Sequence, residues 1–273
     1  MTQESIDRRT FLGWIGRFSI CALGVSLLPS CRGNALNGQN DTGSQNFYLA
    51  NKTKIMKEID DMCGYTRKVS STMYGKEMAD TLVLGTTQKF EDLLPDLPYI
   101  GGYTNNLTTN LYMGAAGLAL YKTMLEQGKT LEETGEVLYR ATEMQYGANP
   151  LGGMMTSMSV SDTTKTIISK EAERSQERMY TGDWVFNFID GNGADFDYGI
   201  DYTECGICKF YQSQGAAELI PYMCMLDFPI SKAANSGLVR TTTLGRGGPR
   251  CDFRYKIGRP VQMDWVPGFL KKG

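Results

Sequence analysis

Four cysteines in the last third of the sequence are the residues best suited to chemistry. Cys205 and Cys208 occur as Cys205-Gly206-Ile207-Cys208 at the predicted start of a helix. Both thiols then lie on one helical face near the N-terminus, where the helix dipole and free backbone N–H groups lower the pKa of a thiol. Both cysteines could therefore be thiolates at neutral pH.

The third cysteine lies close to a carboxylate. Pro221 suits the first position of a short helix, and Cys224 and Asp227 follow with a separation of three residues. Residues at i and i+3 share one face of a helix. Together they offer either a nucleophile with an acid–base partner or a pair of metal ligands.

The fourth cysteine lies in a predicted β-hairpin. Residues 238–244 and 250–255 have strand character and flank a five-residue loop rich in glycine. Side chains alternate between the two faces of a strand, so Cys251 and Asp252 point to opposite sides unless the strand bulges.

The sequence contains no histidine, which excludes imidazole from every catalytic dyad, triad and metal site. Acid–base catalysis would therefore require Asp227 or Asp252, with burial raising the carboxyl pKa toward neutrality. Arg240 and Thr242 share a face of the predicted hairpin and offer a guanidinium and a hydroxyl to an anionic substrate group.

Several interpretations of the cysteines remain open. They can be small core residues, and this interpretation fits Cys63 best. Cys205 and Cys208 could form a disulfide. Cys205, Cys208, Cys224 and Cys251 could also hold zinc or an iron–sulfur cluster, although a second C-x2-C pair is absent. In that alternative the protein is a redox or ligand-binding lipoprotein, whereas thiolate chemistry requires no cofactor.

The N-terminus has the features of an export signal. Residues 7–12, Asp-Arg-Arg-Thr-Phe-Leu, resemble the twin-arginine motif, and the uncharged stretch 18–30 follows. Its 13 residues are fewer than the roughly 20 that a membrane-spanning helix needs. Leu28-Pro29-Ser30-Cys31 resembles a lipobox, which predicts cleavage before Cys31 and lipidation of its thiol. An ordinary signal peptide cut nearby is the alternative.

The N-terminus also predicts location and domain organisation. Residues 1–30 are the signal, residues 31–46 are a polar tether behind the lipidated cysteine, and residues 47–273 form one domain. We expect the twin-arginine machinery, which exports folded proteins, to deliver the chain to the periplasmic or cell-surface side of a membrane. Nucleic acid is an unsuitable partner because the formal net charge is −2.

The pattern along the domain predicts an α+β fold, with a helical N-terminal half packed against a small antiparallel sheet from the C-terminal half. Small residues in the third predicted helix, 107–125, would let another element approach closely. A strand is predicted at 184–189, before the hairpin. The predicted helices are residues 48–78, 81–94, 107–125, 131–147, beginning with a capping box at Thr130 and Glu133, and 162–180.

The cysteine-containing segments resemble a known enzyme family. These segments are 202–209, 218–227, 238–244 and 251–253, and they resemble the L-2-amino-thiazoline-4-carboxylic acid hydrolase family. The family is named for opening a thiazoline ring, a cyclic amidine, to N-carbamoyl-cysteine. The resemblance is distinctive from about residue 101 to residue 255.

This resemblance implies a hydrolase acting on carbon–nitrogen bonds of small cyclic amidines. In that mechanism a thiolate attacks the amidine carbon, a carboxyl group protonates a ring atom, and water releases the adduct. The residues carried over are catalytic Cys224, Asp227, Cys251 and Asp252, substrate-binding Arg240 and Thr242, and the thiols Cys205 and Cys208.

Overall fold

A computed structural model describes residues 47–147 and 161–271. The predicted signal, tether and lipidated Cys31 lie outside these residues. Within them, helices come first and a small antiparallel sheet comes later, so the predicted α+β class is confirmed. No described helix has the length and apolar composition needed to cross a membrane.

Five helices form the first part of the described chain. A capping box starts the fourth helix as predicted, because the Glu133 carboxylate accepts the Thr130 backbone N–H at 2.8 Å and the Thr130 hydroxyl accepts the Glu133 N–H at 3.1 Å. The helices are α1 (Lys52–Tyr74), α2 (Lys76–Leu93), α3 (Thr108–Glu126), α4 (Leu131–Gly147) and α5 (Asp162–Ser175).

Helix α3 is the buried centre of the fold. Its glycines allow close packing, since a Cβ at Gly114 would lie 3.1 Å from the Ile207 side chain and one at Gly117 only 2.9 Å from the Met223 sulfur. These contacts confirm that the small residues of α3 admit other elements. The elements admitted are those that carry the cysteines.

The sheet contains β1 (Val185–Asp190), β2 (Tyr198–Glu204) and β3 (Cys251–Tyr255) in the antiparallel order β1-β2-β3. The strand predicted at 184–189 is therefore confirmed. Strand β2 was not predicted, although alternate residues along it are buried aromatic or aliphatic side chains. These residues are Tyr198, Ile200 and Tyr202.

Three short helices connect the sheet to α3 and α4. They are α6 (Gly206–Ser213), α7 (Ile220–Cys224) and α8 (Asp227–Ala233). Pro221 occupies the first turn of α7, as expected. The helix carrying Cys224 and Asp227 divides between these two residues, yet the two linking residues keep right-handed helical geometry.

The predicted strand at 238–244 is wrong. In this segment only Val239 forms a β-bridge to β3, with Arg254, and β3 forms its ladder with β2 instead. The Asp252 carboxylate accepts the backbone N–H groups of Thr241 and Thr242, both at 2.8 Å. Those N–H groups are then occupied by a side chain and cannot extend the strand pairing.

Candidate functional site

Cys205 lies at the junction of β2 and α6, as the N-cap residue of that helix. The predicted position at a helix start is confirmed. A Cβ at Gly206 would lie 2.6 Å from the Trp184 ring and 2.7 Å from the Gly182 carbonyl oxygen. Glycine at position 206 thus lets the helix begin directly against Trp184 and keeps the Cys205 thiol beside the indole.

The environment of Cys205 favours its thiolate. The Cys208 thiol donates a hydrogen bond to Cys205, and this bond lowers the Cys205 pKa below the ordinary thiol value. Burial opposes the shift, whereas the N–H groups of Cys208 and Ile207 and the Trp184 side chain reinforce it. Cys205 as a residue is partly exposed, whereas its thiol lies in a buried environment.

Cys208 has the opposite electrostatics. Its pKa is raised because its thiol hydrogen-bonds to Cys205, because it is buried, and because other cysteines lie nearby. The pair therefore favours ionisation of Cys205 and opposes ionisation of Cys208, so the expectation that both could be thiolates is wrong for Cys208. A paired thiolate and thiol is nevertheless an arrangement that can both attack and exchange a proton.

Cys224 and Cys251 belong to the same cluster as neutral thiols. Burial raises the pKa of Cys224 well above the ordinary value, with partial compensation from Arg240. Burial raises the pKa of Cys251 to about 12, although the Leu244 N–H donates to its sulfur at 3.2 Å. Neither predicted nucleophile has the activation that Cys205 has.

The structure separates the remaining interpretations of the cysteines. Cys63 is 2% exposed in the core, as predicted. All five cysteines of the described ranges are free thiols. Within these ranges no group of three or more histidine, cysteine, aspartate or glutamate side chains is arranged to hold a metal ion. This geometry gives the zinc or iron–sulfur interpretation no support.

Arg240 lies beside the thiol cluster but is engaged by the protein itself. It is 3% exposed, and its guanidinium donates to Asp227 at 2.8 Å, to Asp264 at 3.0 Å and to the Cys224 carbonyl at 3.0 Å. The Cys224 backbone carbonyl and the Asp227 carboxylate thus accept hydrogen bonds from the same guanidinium. Asp264 follows the segments with family resemblance, and no motif indicates its role.

Two aromatic rings enclose the same guanidinium. Its central carbon lies 4.7 Å from the ring centre of Phe228 and 5.1 Å from that of Phe253. These contacts stabilise the cation and exclude water from its ion pairs. Arg240 is therefore a buried structural residue that holds two carboxylates and packs between two rings. Its predicted contact with a substrate carboxylate stays a prediction.

Asp252 and Thr242 lie together on the outer side of β3. Cys251 is buried and Asp252 is partly exposed, which confirms the predicted alternation. Burial raises the Asp252 pKa, but hydrogen bonds from the Thr241 hydroxyl and the two threonine N–H groups outweigh it and lower the pKa below the ordinary value. A general acid at neutral pH requires the opposite shift.

A buried polar network supports Cys205 from behind and was not found in the sequence. The Asp183 carboxylate accepts the Trp184 N–H at 2.8 Å and the Asn105 side-chain amide at 2.7 Å. The same Asn105 amide group donates to the Ile100 carbonyl at 2.6 Å. This network fixes Trp184, and Trp184 in turn contacts Cys205. No local spacing links Asn105 to Asp183.

A cysteine of lowered pKa at a helix N-terminus, next to a second thiol, is typical of enzymes with nucleophilic cysteines. Residues 109–255 match the model of the L-2-amino-thiazoline-4-carboxylic acid hydrolase family. The match covers more than half of the 273 residues, and the chain belongs to this hydrolase family. No curated protein and no solved structure matches the chain.

Cys205 should be the first cysteine to react with iodoacetamide at neutral pH. Because its pKa is lowered, its reactivity should persist below the pH at which unfolded thiols, with a pKa of about 8.5, lose theirs. Trp184→Phe removes one hydrogen bond and should move the midpoint upward. Peptide mass spectrometry at a series of pH values measures both effects, and earlier labelling of Cys224 or Cys251 would contradict the assignment.

Arg240→Met should lower the free energy of unfolding by about 3 kcal/mol or more, because Asp227 and Asp264 would be buried without their counter-charge. Arg250→Met is the matched control, since Arg250 is an exposed partner of Asp201, and it should cost less than about 1 kcal/mol. Urea unfolding measures both. Unchanged stability in Arg240→Met would indicate that the guanidinium is reserved for substrate.

Proposed function

We propose that this protein is an exported hydrolase that opens a small cyclic amidine of the thiazoline type, with Cys205 as nucleophile. The single observation that carries the proposal is the position of Cys205 at the start of α6, where the Cys208 thiol, two backbone N–H groups and Trp184 lower its pKa. Membership in the hydrolase family supports the reaction class. Cys224 and Cys251 then line the site as neutral thiols.

The reaction proceeds through a covalent adduct. The Cys205 sulfur adds to the amidine carbon, and the bond from that carbon to a ring heteroatom breaks. For an aminothiazoline that yields an N-carbamoyl product, the ring sulfur leaves. Water then adds to the same carbon, its oxygen becomes the carbamoyl oxygen, and Cys205 leaves as a thiolate.

The position of Cys205 suits both steps. The N–H groups of Ile207 and Cys208 stabilise negative charge on the sulfur before attack and again when the product leaves. Trp184 presents an apolar face that keeps bulk water from the thiolate while its side chain holds the sulfur. The site therefore activates a nucleophile without histidine.

The full chain should hydrolyse L-2-amino-thiazoline-4-carboxylate or a related cyclic amidine, and Cys205→Ser should lower kcat by about a thousandfold or more because the attacking thiolate is lost. Cys224→Ser and Cys251→Ser are matched controls and should stay within about tenfold of the unaltered chain. Chromatography of the product measures turnover, and intact-mass analysis locates the adduct. Full activity of Cys205→Ser would show that another group attacks.

The proposal includes export and anchoring, supported by Arg8, Arg9, the apolar stretch that follows them, and Cys31. Replacing both arginines by lysine should retain the protein in the cytoplasm. Cys31→Ser should leave it exported but free of the membrane fraction, because the lipid is lost. Cell fractionation with immunoblotting measures both. A cytoplasmic unaltered chain would contradict export, and membrane-bound Cys31→Ser would contradict lipid anchoring.

A further inference from the structure

The proposed reaction needs a proton donor. Histidine, the most common general acid in enzymes, is absent from the sequence. The two carboxylates expected to act as acids are committed elsewhere. Asp227 pairs with Arg240, and Asp252 accepts three hydrogen bonds from Thr241 and Thr242. The donor must be sought among the groups that contact Cys205.

Other polar groups near the thiol pair are also committed. The Tyr211 hydroxyl donates to the Gly114 carbonyl at 2.7 Å in the core. The Lys209 ammonium donates to the carbonyls of Thr181 and Asp183, both at 2.8 Å, and pairs with Glu204. Neither group is free to follow the reacting sulfur through the reaction.

Cys208 meets the geometric requirement. It lies on the first turn of α6, three residues after the N-cap Cys205, so the two side chains share one face and the Cys208 S–H can donate to the Cys205 sulfur. The Cys208 proton is therefore close to the bond that the Cys205 sulfur forms in the first step and to the same bond when it breaks in the second. The Cys208 pKa is raised chiefly by its hydrogen bond to Cys205, then by burial, and then by the negative charge on Cys205.

We infer that Cys208 is the general acid–base of the hydrolysis, a role that rests on the proposed function. Bond formation converts the Cys205 thiolate into a neutral thioether sulfur. A neutral thioether sulfur is a weaker hydrogen-bond acceptor and carries no charge, so two of the causes that held the Cys208 proton are then lost, and the proton becomes available when the leaving atom needs it.

The protons balance over one cycle. As the Cys205 sulfur bonds to the amidine carbon, the ring carbon–sulfur bond breaks, and the ring sulfur takes its electron pair and the Cys208 proton. Cys208 is now a thiolate. It takes a proton from water as the oxygen adds to the adduct carbon, and the bond to Cys205 breaks. Cys205 returns as a thiolate, Cys208 as a thiol, and the product tautomerises to the urea.

The test compares two leaving groups in the full chain. The first substrate is 2-aminothiazoline-4-carboxylate, whose alkyl thiolate needs a proton to leave. The second is S-(4-nitrophenyl)isothiourea, whose coloured aryl thiolate leaves without one. Cys208→Ala should slow adduct formation from the thiazoline by about a hundredfold or more, because general acid catalysis is lost. At a pH high enough to ionise Cys205 in both proteins, the variant should slow the aryl burst by less than about fivefold, since loss of the Cys208 hydrogen bond raises the Cys205 pKa.

The controls separate catalysis from structure. With both substrates Cys208→Ala should accumulate the Cys205 adduct, because activation of water is also lost, and intact-mass analysis detects this. Cys208→Ser should behave like Cys208→Ala, because an alcohol is a far weaker acid than a thiol. Gln212→Ala, an exposed change on the same helix, should leave both rates unchanged.

Three outcomes would overturn the inference. Equal slowing of both bursts in Cys208→Ala would mean that Cys208 only positions the thiolate. Unchanged rates with both substrates would mean that it takes no part. Both results leave the proposed function intact if Cys205→Ser is inactive. Absence of an adduct in the unaltered chain, or full activity of Cys205→Ser, would remove the proposed function itself.

Discussion

The site depends on the contact between the start of α6 and Trp184. Gly206 lets the helix begin against the indole, and a side chain there would collide with Trp184 and with backbone. The contact fixes where Cys205 lies, which N–H groups face its sulfur and which thiol is its neighbour. The pKa of the Cys205 thiol therefore depends on apolar packing around Trp184, which no charged motif in the sequence indicates.

The sequence predicted the α+β class, most helices and the clustering of four cysteines, because these follow from periodicity and local spacing. The alternation of Tyr198, Ile200 and Tyr202 is typical of strand β2. The glycine- and aspartate-rich stretch before it favours a loop, and the strand was therefore not predicted. The segment 238–244 failed as a strand because one side chain, Asp252, binds its backbone amides. Propensity describes residues singly and cannot anticipate such competition.

The chemical role of each site residue was harder to predict than which residues form the site. Cys224 and Cys251 were reasonable nucleophiles by type, and only three-dimensional burial distinguishes them from Cys205. Arg240 was a reasonable anion binder until Asp264, 24 residues later, supplied a second carboxylate. Asn105 and Asp183, 78 residues apart, could not be connected without the fold. Long-range pairings of this kind carry no local sequence signature.

The pairing of Arg240 with Asp264 also orders the events of synthesis. Asp264 is translated 24 residues after Arg240, so the guanidinium has only Asp227 as a carboxylate partner until that later segment has been added. The two aromatic rings around the guanidinium belong to elements that must close over it. A nascent chain that has not reached residue 264 thus lacks the second carboxylate at this guanidinium, and maturation of the site is coupled to synthesis of the segment that carries Asp264.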